Sequence, residues 1–402
     1  MSRLADLIAE LCPDGVEYRP LGEIADLQRG GGMPKKLFID KGIPAIHYGH
    51  IFTKYGIHTK CAAAYLAPED TDKLTRVYPG DLVVANTSEN LEDVGKGVVW
   101  LGDVEGVTGG HATVVRSLAV DTVFLSYYLR TEDFALKKRK YAQGTKVIEL
   151  SAVNLSKIDI PVPPLEVQRE IVRILDQFTT LEAELEAELE ARRTQYEHYR
   201  NRLLSYDSLS ACGPVDMVEL GSVVTLLDSR RIPLKKGDRV SGEYPYYGAS
   251  GIVDYVDSYI FDEDLLLVSE DGANLKARTK PIAFSSSGRV WVNNHAHVLK
   301  VESSLYQKFI EEYLNSLDLE PYLVGSTQPK LNQSGLLSIP VPLPTERALE
   351  RSVLLLEKLK LFVTDFSSGL PAEIAARRAQ YEHYRDRLLS FPEKAVSRSN
   401  AS

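Results

Sequence analysis

Two long stretches of the chain have apolar residues every three or four positions, the spacing typical of an amphipathic helix. The first, from Leu165 to Cys212, contains neither glycine nor proline. The apolar or aromatic residues that form this stripe include Ile171, Ile174, Phe178, Leu181, Leu185, Leu189, Tyr196, Tyr199 and Leu203. A helix of about 40 residues rises ~60 Å, which is longer than a small domain can bury. The pattern therefore predicts a rod that packs along a partner helix.

The second stretch predicts a similar rod from Thr345 to Phe391, with a joint at Gly369-Leu370-Pro371. Glycine commonly ends a helix and proline suits the first turn of a new one. The ends of the two rods are near copies, since 191–206 and 376–391 are identical at thirteen of sixteen positions. Near-identical ends suit antiparallel packing about a pseudo-twofold axis, because each end would then meet a similar environment.

Shorter markers precede the repeated ends in the same order in both halves. They are Leu21-Gly22 and Leu220-Gly221, followed by Ile160-Pro161-Val162-Pro163 and Ile339-Pro340-Val341-Pro342. A repeated order of markers indicates two structural repeats. Between the markers lie two dissimilar stretches, roughly 20–160 and 219–339, which alternate short β-like runs with turn residues.

The dissimilar stretches predict two globules, each ending in a short helix. Predicted strands include Gly80–Ala85, Val98–Leu101, Asp264–Val268 and Arg289–Val292, and the predicted helices are Val123–Lys140 and Leu305–Leu317. We therefore predict an α+β fold in which two globular α+β domains are separated by two long helices packed as an antiparallel coiled coil. The predicted boundaries are 1–163 for the N-terminal segment and first globule, 164–212 for the first long helix, 213–342 for the second globule, and 343–402 for the second long helix, jointed near 369–371, and the tail.

The composition is that of an ordinary globular chain of several domains, with 402 residues, 26% of them charged and 44% hydrophobic. A net charge of −9 argues against a nonspecific nucleic-acid binder, although a sequence reader with local basic loops remains compatible with it. No apolar run approaches the ~18 residues of a membrane span, and no export signal is visible. Three widely spaced cysteines give no disulfide framework, so we expect a cytoplasmic protein.

Motifs for catalysis are missing from the sequence. The one Gly-Lys pair, Gly95-Lys96, is followed by Gly97, so there is no P-loop. No acidic residue has lysine two positions later, as a common nuclease pattern requires, and the Asn/Asp-Pro-Pro-aromatic signature of amino-methyltransferases is absent. The array His47, His50, His58 and Cys61 has a zinc-like spacing, but structural zinc sites usually use more thiolates, which favours polar loop residues instead. We therefore predict no catalytic and no metal-binding residue.

The remaining signal is a set of basic, aromatic and amide side chains in the loops of both globules. Such side chains read base edges and hold phosphates, although loops of any soluble protein are rich in them. The candidate DNA-binding residues are Arg29, Lys35, Lys36, Tyr48, His50, Asn86, Thr87 and Ser88 in the first globule and Arg230, Arg231, Tyr247, Ser250, Asn274, Lys276 and Arg278 in the second.

Taken in order, the markers make the chain resemble the DNA specificity subunits of type I restriction-modification systems over essentially its whole length. Each half begins with the Leu-Gly element and closes with the Ile-Pro-hydrophobic-Pro element that leads into a helix. Further matching segments are Gly31-Gly32-Met33-Pro34, Tyr246–Gly251, Glu270–Ala273 and Trp291–His297. The second half departs from the family pattern at Pro342–Arg347 and at the joint, which puts the spacing between the domains in question.

The resemblance implies a non-catalytic subunit in which each globule, a target recognition domain, reads one half of a bipartite double-stranded DNA target. The helices would fix the spacer between the half-sites and dock two modification (methyltransferase) subunits. The cofactor S-adenosylmethionine is then expected in those partners and none in this chain, and motor-nuclease restriction subunits can join the assembly. Two alternatives stay open: a coiled-coil scaffold without DNA specificity, and a combined enzyme, for which no motif is found.

Overall fold

The computed structural model of the protein describes residues 2–325, 328–364 and 369–394. The chain forms two compact units. The first unit comprises Met1–Glu184 and Ile374–Ser402, and the second comprises Leu185–Glu373. The division falls within the helix Leu165–Leu203, so each unit combines one globule with parts of the long helices. The predicted α+β class, with a long helix between two domains, is confirmed.

The first unit contains two main sheets within its described residues. One has the strand order Ala25–Arg29, Ala112–Ser117, Leu82–Ala85, Gly97–Trp100 and His58–Thr59. The other has the order Tyr65–Leu66, Ile43–Ile46, Gly106–Thr108 and Thr75–Val77. The central strands Leu82–Ala85 and Gly97–Trp100 are buried along their whole length, which explains their continuous apolar sequence. A short ribbon pairs Ile148–Glu149 with Thr87–Ser88.

Short helices cover these sheets, and several begin at a side chain that caps the first free backbone N–H groups. Asp121 caps Thr122–Tyr128, Thr131 caps Glu132–Lys138 and Ser151 caps Ala152–Leu155. The predicted helix Val123–Lys140 is thus two helices, because Thr131 starts a new one. The remaining short helices of this unit are Ser2–Leu11, Leu21–Ile24 and Tyr48–Thr53, with 3₁₀ turns at Lys35–Leu37 and Pro68–Asp70.

The second unit also contains two four-stranded sheets. One has the strand order Thr225–Leu226, Ala296–Lys300, Leu265–Ser269 and Ala283–Ser286. The other has the order Gly251–Val256, Ser241–Gly248, Arg289–Val292 and Phe261–Asp262. Its helices are Tyr206–Ser210, Asn274–Ala277, Ser304–Ser316, Gln333–Leu337 and Glu346–Thr364, with 3₁₀ turns at Leu220–Ser222, Asp228–Arg230, Lys236–Asp238 and Glu320–Tyr322. The strands and the helix predicted in this half are confirmed to within one residue at each end.

The sequence markers of each half pair with one another. In the first unit Tyr18–Pro20 runs antiparallel to Asp159–Pro161, and in the second Val215–Glu219 runs antiparallel to Pro340–Pro344. The leucine of each Leu-Gly marker donates its backbone N–H across this ribbon, Leu21 to the carbonyl of Ile158 at 3.0 Å and Leu220 to that of Ile339 at 2.9 Å. The two markers therefore join the beginning of each globule to its end.

Antiparallel helix pairs are present inside each unit. In the first unit Phe178 stacks on Tyr384 with ring centroids 5.5 Å apart, and one turn later Glu182 pairs with Arg378 at 2.5 Å. In the second unit Ser352 contacts the carbonyl of Leu203 at 3.4 Å. Each of these contacts pairs a part of Leu165–Leu203 with a part of the second rod. None of the described helices combines the length and apolar content that a membrane span requires.

The repeated ends of the rods belong to the globule of the opposite half. Leu389 and Phe391, from the second copy, are buried in the first unit's core with Leu21, Leu155 and Ile160. Leu204, from the first copy, is buried in the second unit's core with Leu220 and Ile339. Similar residues therefore fill similar positions in both units, which accounts for the near identity of the two copies.

The described helices differ from the predicted rods at two points. The first long helix ends at Leu203 rather than at Cys212, because the Ser205 side chain accepts the Ser208 N–H and caps a new helix, Tyr206–Ser210. The second rod consists of Glu346–Thr364 and Leu370–Leu388. The predicted joint lies next to residues 365–368, which are outside the described part of the chain, and Leu370 and Pro371 form the first turn of the following helix.

Candidate nucleic-acid interface

A glycine-rich loop at one edge of the first unit approaches a second loop more closely than any side chain would permit. Gly31 bridges Gly109. A Cβ atom on Gly30 would lie only 2.3 Å from the carbonyl oxygen of Gly109, so both backbones need glycine here. The contact fixes Arg29, whose Nε donates to the carbonyl of Gly110 at 3.1 Å and whose Nη2 lies 3.1 Å from Glu149.

A cluster of aromatic and histidine rings lies beside this pair of loops. The ring of Tyr48 lies 4.5 Å from that of His47 and 5.0 Å from that of His111, measured between centroids. Phe38 and His50 extend the cluster, with 5.8 Å between their rings. A small hollow of about 20 Å³ is lined by Met33, His47, Tyr48, Gly109, Gly110 and His111. The predicted Arg29, Tyr48 and His50 are therefore near one another.

Two histidines of this cluster, His47 and His50, have lowered pKa values and so favour the neutral imidazole. Burial, together with the neighbouring His50, Lys35 and His111, lowers the pKa of His47 to about 4. Its Nδ1 accepts the Gly49 N–H at 3.1 Å, which an imidazolium could not do. Burial also lowers the pKa of His50, whose buried Nδ1 has no hydrogen-bond partner among the described residues.

Two cations accompany the rings. Lys35 and Lys36 are exposed on the 3₁₀ turn Lys35–Leu37. Neutral imidazole and phenol groups can donate to and accept from base edges, while lysine can hold a phosphate. This edge of the first unit thus has the chemistry of a nucleic-acid contact.

The predicted loop 86–88 is largely structural. Asn86 is completely buried, and its amide bonds the Leu150 carbonyl at 2.6 Å and the Thr113 hydroxyl at 2.9 Å. Thr87 is 7% exposed, and its hydroxyl bonds His111 Nδ1 at 3.1 Å. Both are corrected from base-contacting candidates to residues that hold the loop, since their polar groups already have partners. Ser88 is half-buried and remains a candidate.

In the second unit Arg231 lies within a network of charged side chains. Its guanidinium contacts Asp228 at 3.2 Å and Glu270 at 2.5 Å, and it also donates to the carbonyl of Ala296 at 2.8 Å. Lys330 pairs with the other oxygen of Glu270 at 3.0 Å. Only 11% of the Arg231 side chain is exposed. The prediction that Arg231 contacts DNA is therefore corrected, because its donors are used inside the protein.

His297 completes this network and has no exposed surface. Its Nδ1 lies 2.6 Å from Asp228 Oδ2 and its Nε2 lies 2.7 Å from the carbonyl oxygen of Leu331. The bonds from His297, Val298 and Arg231 outweigh burial and lower the pKa of Asp228, so this carboxylate is ionised. A carboxylate and a carbonyl only accept hydrogen bonds, so both ring nitrogens of His297 face acceptors.

The same residues constitute the one group of metal-type ligands found in the described part of the chain. Side-chain atoms of Asp228, Glu270 and His297 lie within 4.8 Å of one another. The geometry is that of an ion-pair network, because Arg231 lies against both carboxylates and both ring nitrogens of His297 already have protein partners. His47, His50, His58 and Cys61 do not form such a group within the described residues. His58 Nε2 lies 3.6 Å from Asp176 instead, and Cys61 is exposed.

Two predicted residues of the second unit, Tyr247 and Ser250, lie at the turn 248–251, next to this network. Tyr247 stacks on Phe284 with centroids 5.9 Å apart, and Ser250 is half-buried in the turn. Ser269 donates to the Ala249 carbonyl and holds the turn beside Glu270. Arg230 is exposed, although it pairs with Glu263 at 2.6 Å and lies 4.5 Å over the ring of Phe261.

The other three predicted residues of this unit belong to the segment 274–280. Asn274 accepts from the Thr279 hydroxyl and the Lys280 N–H, both at 3.0 Å, and so stabilises the segment itself. Lys276 is exposed and lies 3.5 Å from Glu320. Arg278 lines a separate cavity with Arg193, Tyr196 and Arg200.

Sequence reasoning missed His111 and Lys330 as site residues. His111 directly follows Gly109-Gly110 and precedes the strand Ala112–Ser117. A polar ring between a glycine pair and a strand could have indicated a loop residue of the site. Lys330 had no such signal, because its partner Glu270 is 60 residues away in the sequence.

The two halves described above match a known domain. The family model of the type I restriction modification DNA specificity domain matches residues 13–191 and again residues 213–376. The protein is thus of a class built from two DNA specificity domains. The chain belongs to the type I restriction-modification DNA specificity family, and the resemblance inferred from its motifs is confirmed.

Individual relatives agree with this family. A *Haemophilus influenzae* protein whose name describes a type I restriction enzyme specificity subunit is 33% identical over 199 residues, covering 48% of this chain and 51% of the relative. The type I restriction enzyme EcoR124I/EcoR124II specificity subunit of *Escherichia coli* is 31% identical over 270 residues, covering 60% of this chain and 65% of the relative. The chain thus spans about half to two thirds of the length of these relatives.

Solved structures show the same fold. The S subunit of a type I restriction-modification system from M. genitalium has a TM-score of 0.53 and 17% identity, covering 93% of this chain and 96% of the other. A chain from a study of complex assembly and conformational transition of the type I R-M system has a TM-score of 0.59 and 16% identity, covering 94% and 98%.

Proposed function

We propose that this chain is the non-catalytic, sequence-specific DNA-binding subunit of a type I restriction-modification complex. Each globule reads one half of a bipartite double-stranded target. The long helices fix the length of the unread spacer and dock two modification subunits. Those subunits bind S-adenosylmethionine and transfer the methyl group, and motor-nuclease subunits can join them in the cytoplasm.

The observation that carries the proposal is the pair of DNA specificity domain matches, at 13–191 and 213–376. Each match covers a globule that is closed by its own marker ribbon. Two globules of one family but dissimilar loops suit two different half-sites. Half-sites about one helical turn apart, ~34 Å, let both domains approach the duplex from one side.

The candidate contacts favour base reading over nonspecific binding. In the first unit, neutral histidine and tyrosine rings lie beside the exposed Lys35 and Lys36, and the net charge of the chain is −9. A net acidic chain gains little from phosphate attraction alone. We infer that the modification subunits supply much of the phosphate contact, while this chain supplies the readout.

The test is genome-wide adenine methylation in cells that express the cognate modification subunit with or without this chain. We expect a split motif of two short half-sites that is present only with the chain. A methylation pattern that does not change, with assembly and expression confirmed, would favour the alternative of a helical scaffold and end the proposal. A Tyr48→Ala and Lys35→Ala double variant should weaken one half-site only, because both residues lie in the first unit.

A further inference from the structure

A cavity of about 380 Å³ lies in the second unit between its repeat copy and the segment 274–280. Five cationic and two acidic side chains are among its lining residues. The acidic Glu312 already accepts from Tyr196 at 2.5 Å and from Lys360 at 2.7 Å. The cavity therefore has an excess of positive charge, in a chain that is acidic overall.

Two guanidinium groups line this cavity, those of the half-buried residues Arg200 and Arg278. The Nε of Arg200 is buried and has no hydrogen-bond partner among the described residues. Arg278 donates to the carbonyl of Leu317 at 2.5 Å, burial lowers its pKa, and the charge of Arg200 lowers that pKa further against the opposing effect of Asp318. Two positive charges in one concave site repel each other, and a bound anion between them would offset this repulsion.

The backbone at Arg278 is also unusual. Arg278 has φ of 52° and is the single non-glycine residue with positive φ in the described part of the chain. That left-handed conformation is unfavourable for a residue with a Cβ atom. Arg278 adopts this conformation at the point where its side chain lines the cavity.

The other copy of the repeat shows what such an arginine binds. Arg385, the counterpart of Arg200, donates its Nε to Asp386 at 3.1 Å and its Nη2 to the second oxygen at 3.2 Å. The counterpart of Asp386 is Asn201, one of only three differences between the copies. The first unit thus supplies a carboxylate to its own arginine, whereas the second unit has the amide of Asn201 at the equivalent position.

We propose that the cavity of the second unit binds an acidic side chain of the modification subunit, with Arg200 and Arg278 donating to its carboxylate. The inference rests on the proposed function, since it assigns one docking contact of that complex. A carboxylate fits the donors because a guanidinium binds it through two parallel hydrogen bonds.

A protein side chain suits the cavity better than a DNA phosphate does. The phosphates of a duplex are fixed to a wide, stiff rod, whereas an acidic side chain can extend into a concave site. The floor of the cavity is formed by the long helix, through Tyr196 and Arg200, together with Glu312 and Lys360. The helices are the part of the chain to which the proposed function assigns subunit docking.

The test uses the full-length chain and its cognate modification subunit. In the Asn201→Asp variant, the new carboxylate should bind Arg200 as Asp386 binds Arg385, and so compete with the partner. Arg200→Gln removes the donor. The matched control is Thr194→Ala, which changes another position of the same copy to the residue of the second copy without altering charge. Association is measured by sedimentation and DNA binding by fluorescence anisotropy.

We expect Asn201→Asp and Arg200→Gln each to weaken association with the modification subunit by about tenfold or more, and Thr194→Ala to leave it unchanged. Unchanged association in all three variants would overturn the inference. Weaker DNA binding with normal association would overturn it in favour of a phosphate site. The proposed function is judged separately, by whether the wild-type complex methylates a bipartite motif, so its failure is distinguishable from failure of the cavity.

Discussion

His47 holds the first turn of the helix Tyr48–Thr53 as a neutral imidazole, and this makes the first unit sensitive to acid. Burial lowers the pKa of His47 from 6.5 to about 4. Between these two values the unfolded chain takes up a proton that the folded unit does not. Stability that is fully present above pH 6.5 is therefore lost as the pH falls towards 4.

The His47→Asn variant should lose less stability over this pH range than the wild type. Asparagine keeps an oxygen that can cap the Gly49 N–H but does not titrate. The urea unfolding midpoint of each protein is measured from pH 7 to 4.5 in a Trp291→Phe background, where Trp100 alone reports the first unit. Parallel decreases in the two proteins would show that His47 contributes nothing to the acid sensitivity.

Asp228 is the residue whose loss should most disturb the second unit. One of its oxygens contacts His297, Arg231 and Gln333, while the other accepts the Val298 N–H at 2.8 Å. Asp228→Asn would leave the largely buried Arg231 guanidinium with one carboxylate fewer and His297 without its charged partner. Breaking such a buried pair costs about 3–5 kcal/mol of unfolding free energy.

Urea unfolding followed by Trp291 fluorescence measures this loss, with Trp100→Phe present in every protein compared. Asp262→Asn is the matched control, because Asp262 pairs with Arg289 at 3.2 Å while both side chains are 53% exposed. The control should cost less than about 1 kcal/mol. A similar small loss for Asp228→Asn would mean that the network does not stabilise the unit.

Residue types alone predicted which loops carry polar groups, but not which side chains are free. Arg231 was selected as a cation in a loop, yet its partner Glu270 is 39 residues away and only the folded sheet brings the two together. Asn86 was selected as an amide in a loop, yet it bonds Leu150 across 64 residues. Long-range partners of this kind have no local signature in one sequence.

Whole elements were predicted more closely than residues, because their signals are local. Arg289–Val292 was predicted with the observed bounds, and the long helix with the observed beginning to within one residue. The packing partner of each repeat copy was not predicted. Each copy follows the globule of its own half in the sequence, but Phe391 is buried in the first unit and Leu204 in the second.

The long helix Leu165–Leu203 offers a direct test of its role as a spacer. Its middle contains the tetrapeptide Leu-Glu-Ala-Glu twice in succession, at 181–184 and 185–188. A third copy lengthens the helix by ~6 Å and turns it only about 40° beyond one full rotation, so the apolar stripe stays nearly in line. At ~3.4 Å per base pair, the spacer of the methylated motif should grow by about one to two base pairs.

Sequencing of the methylated sites measures the spacer directly, with the half-sites expected to stay unchanged. Insertion of Leu-Glu alone is the matched control, because two residues rotate the following segment by about 200° and should abolish methylation. A spacer that keeps its length after the four-residue insertion would contradict the spacer role of the helix.

At the scale of the whole molecule, each globule has its own core and its own closing ribbon. The core around Leu21, Ile160 and Phe391 involves residues of the first unit, and the core around Leu220, Ile339 and Leu204 involves residues of the second. Units with separate cores tolerate exchange at their boundaries. The ribbons Tyr18–Pro20 with Asp159–Pro161 and Val215–Glu219 with Pro340–Pro344 supply natural points of exchange.

Replacing residues 220–339 with the equivalent stretch of a relative that has a different target should therefore change one half of the methylated motif and leave the other half intact. The physical reason is that, in the proposed function, each unit contacts its half-site through its own loops. Methylation sequencing of the chimaera is the measurement, and exchange of residues 21–160 is the reciprocal control, expected to change the opposite half. If either exchange altered both half-sites in a well-assembled complex, the two globules would be reading the target jointly, and the division of the target between them would be wrong.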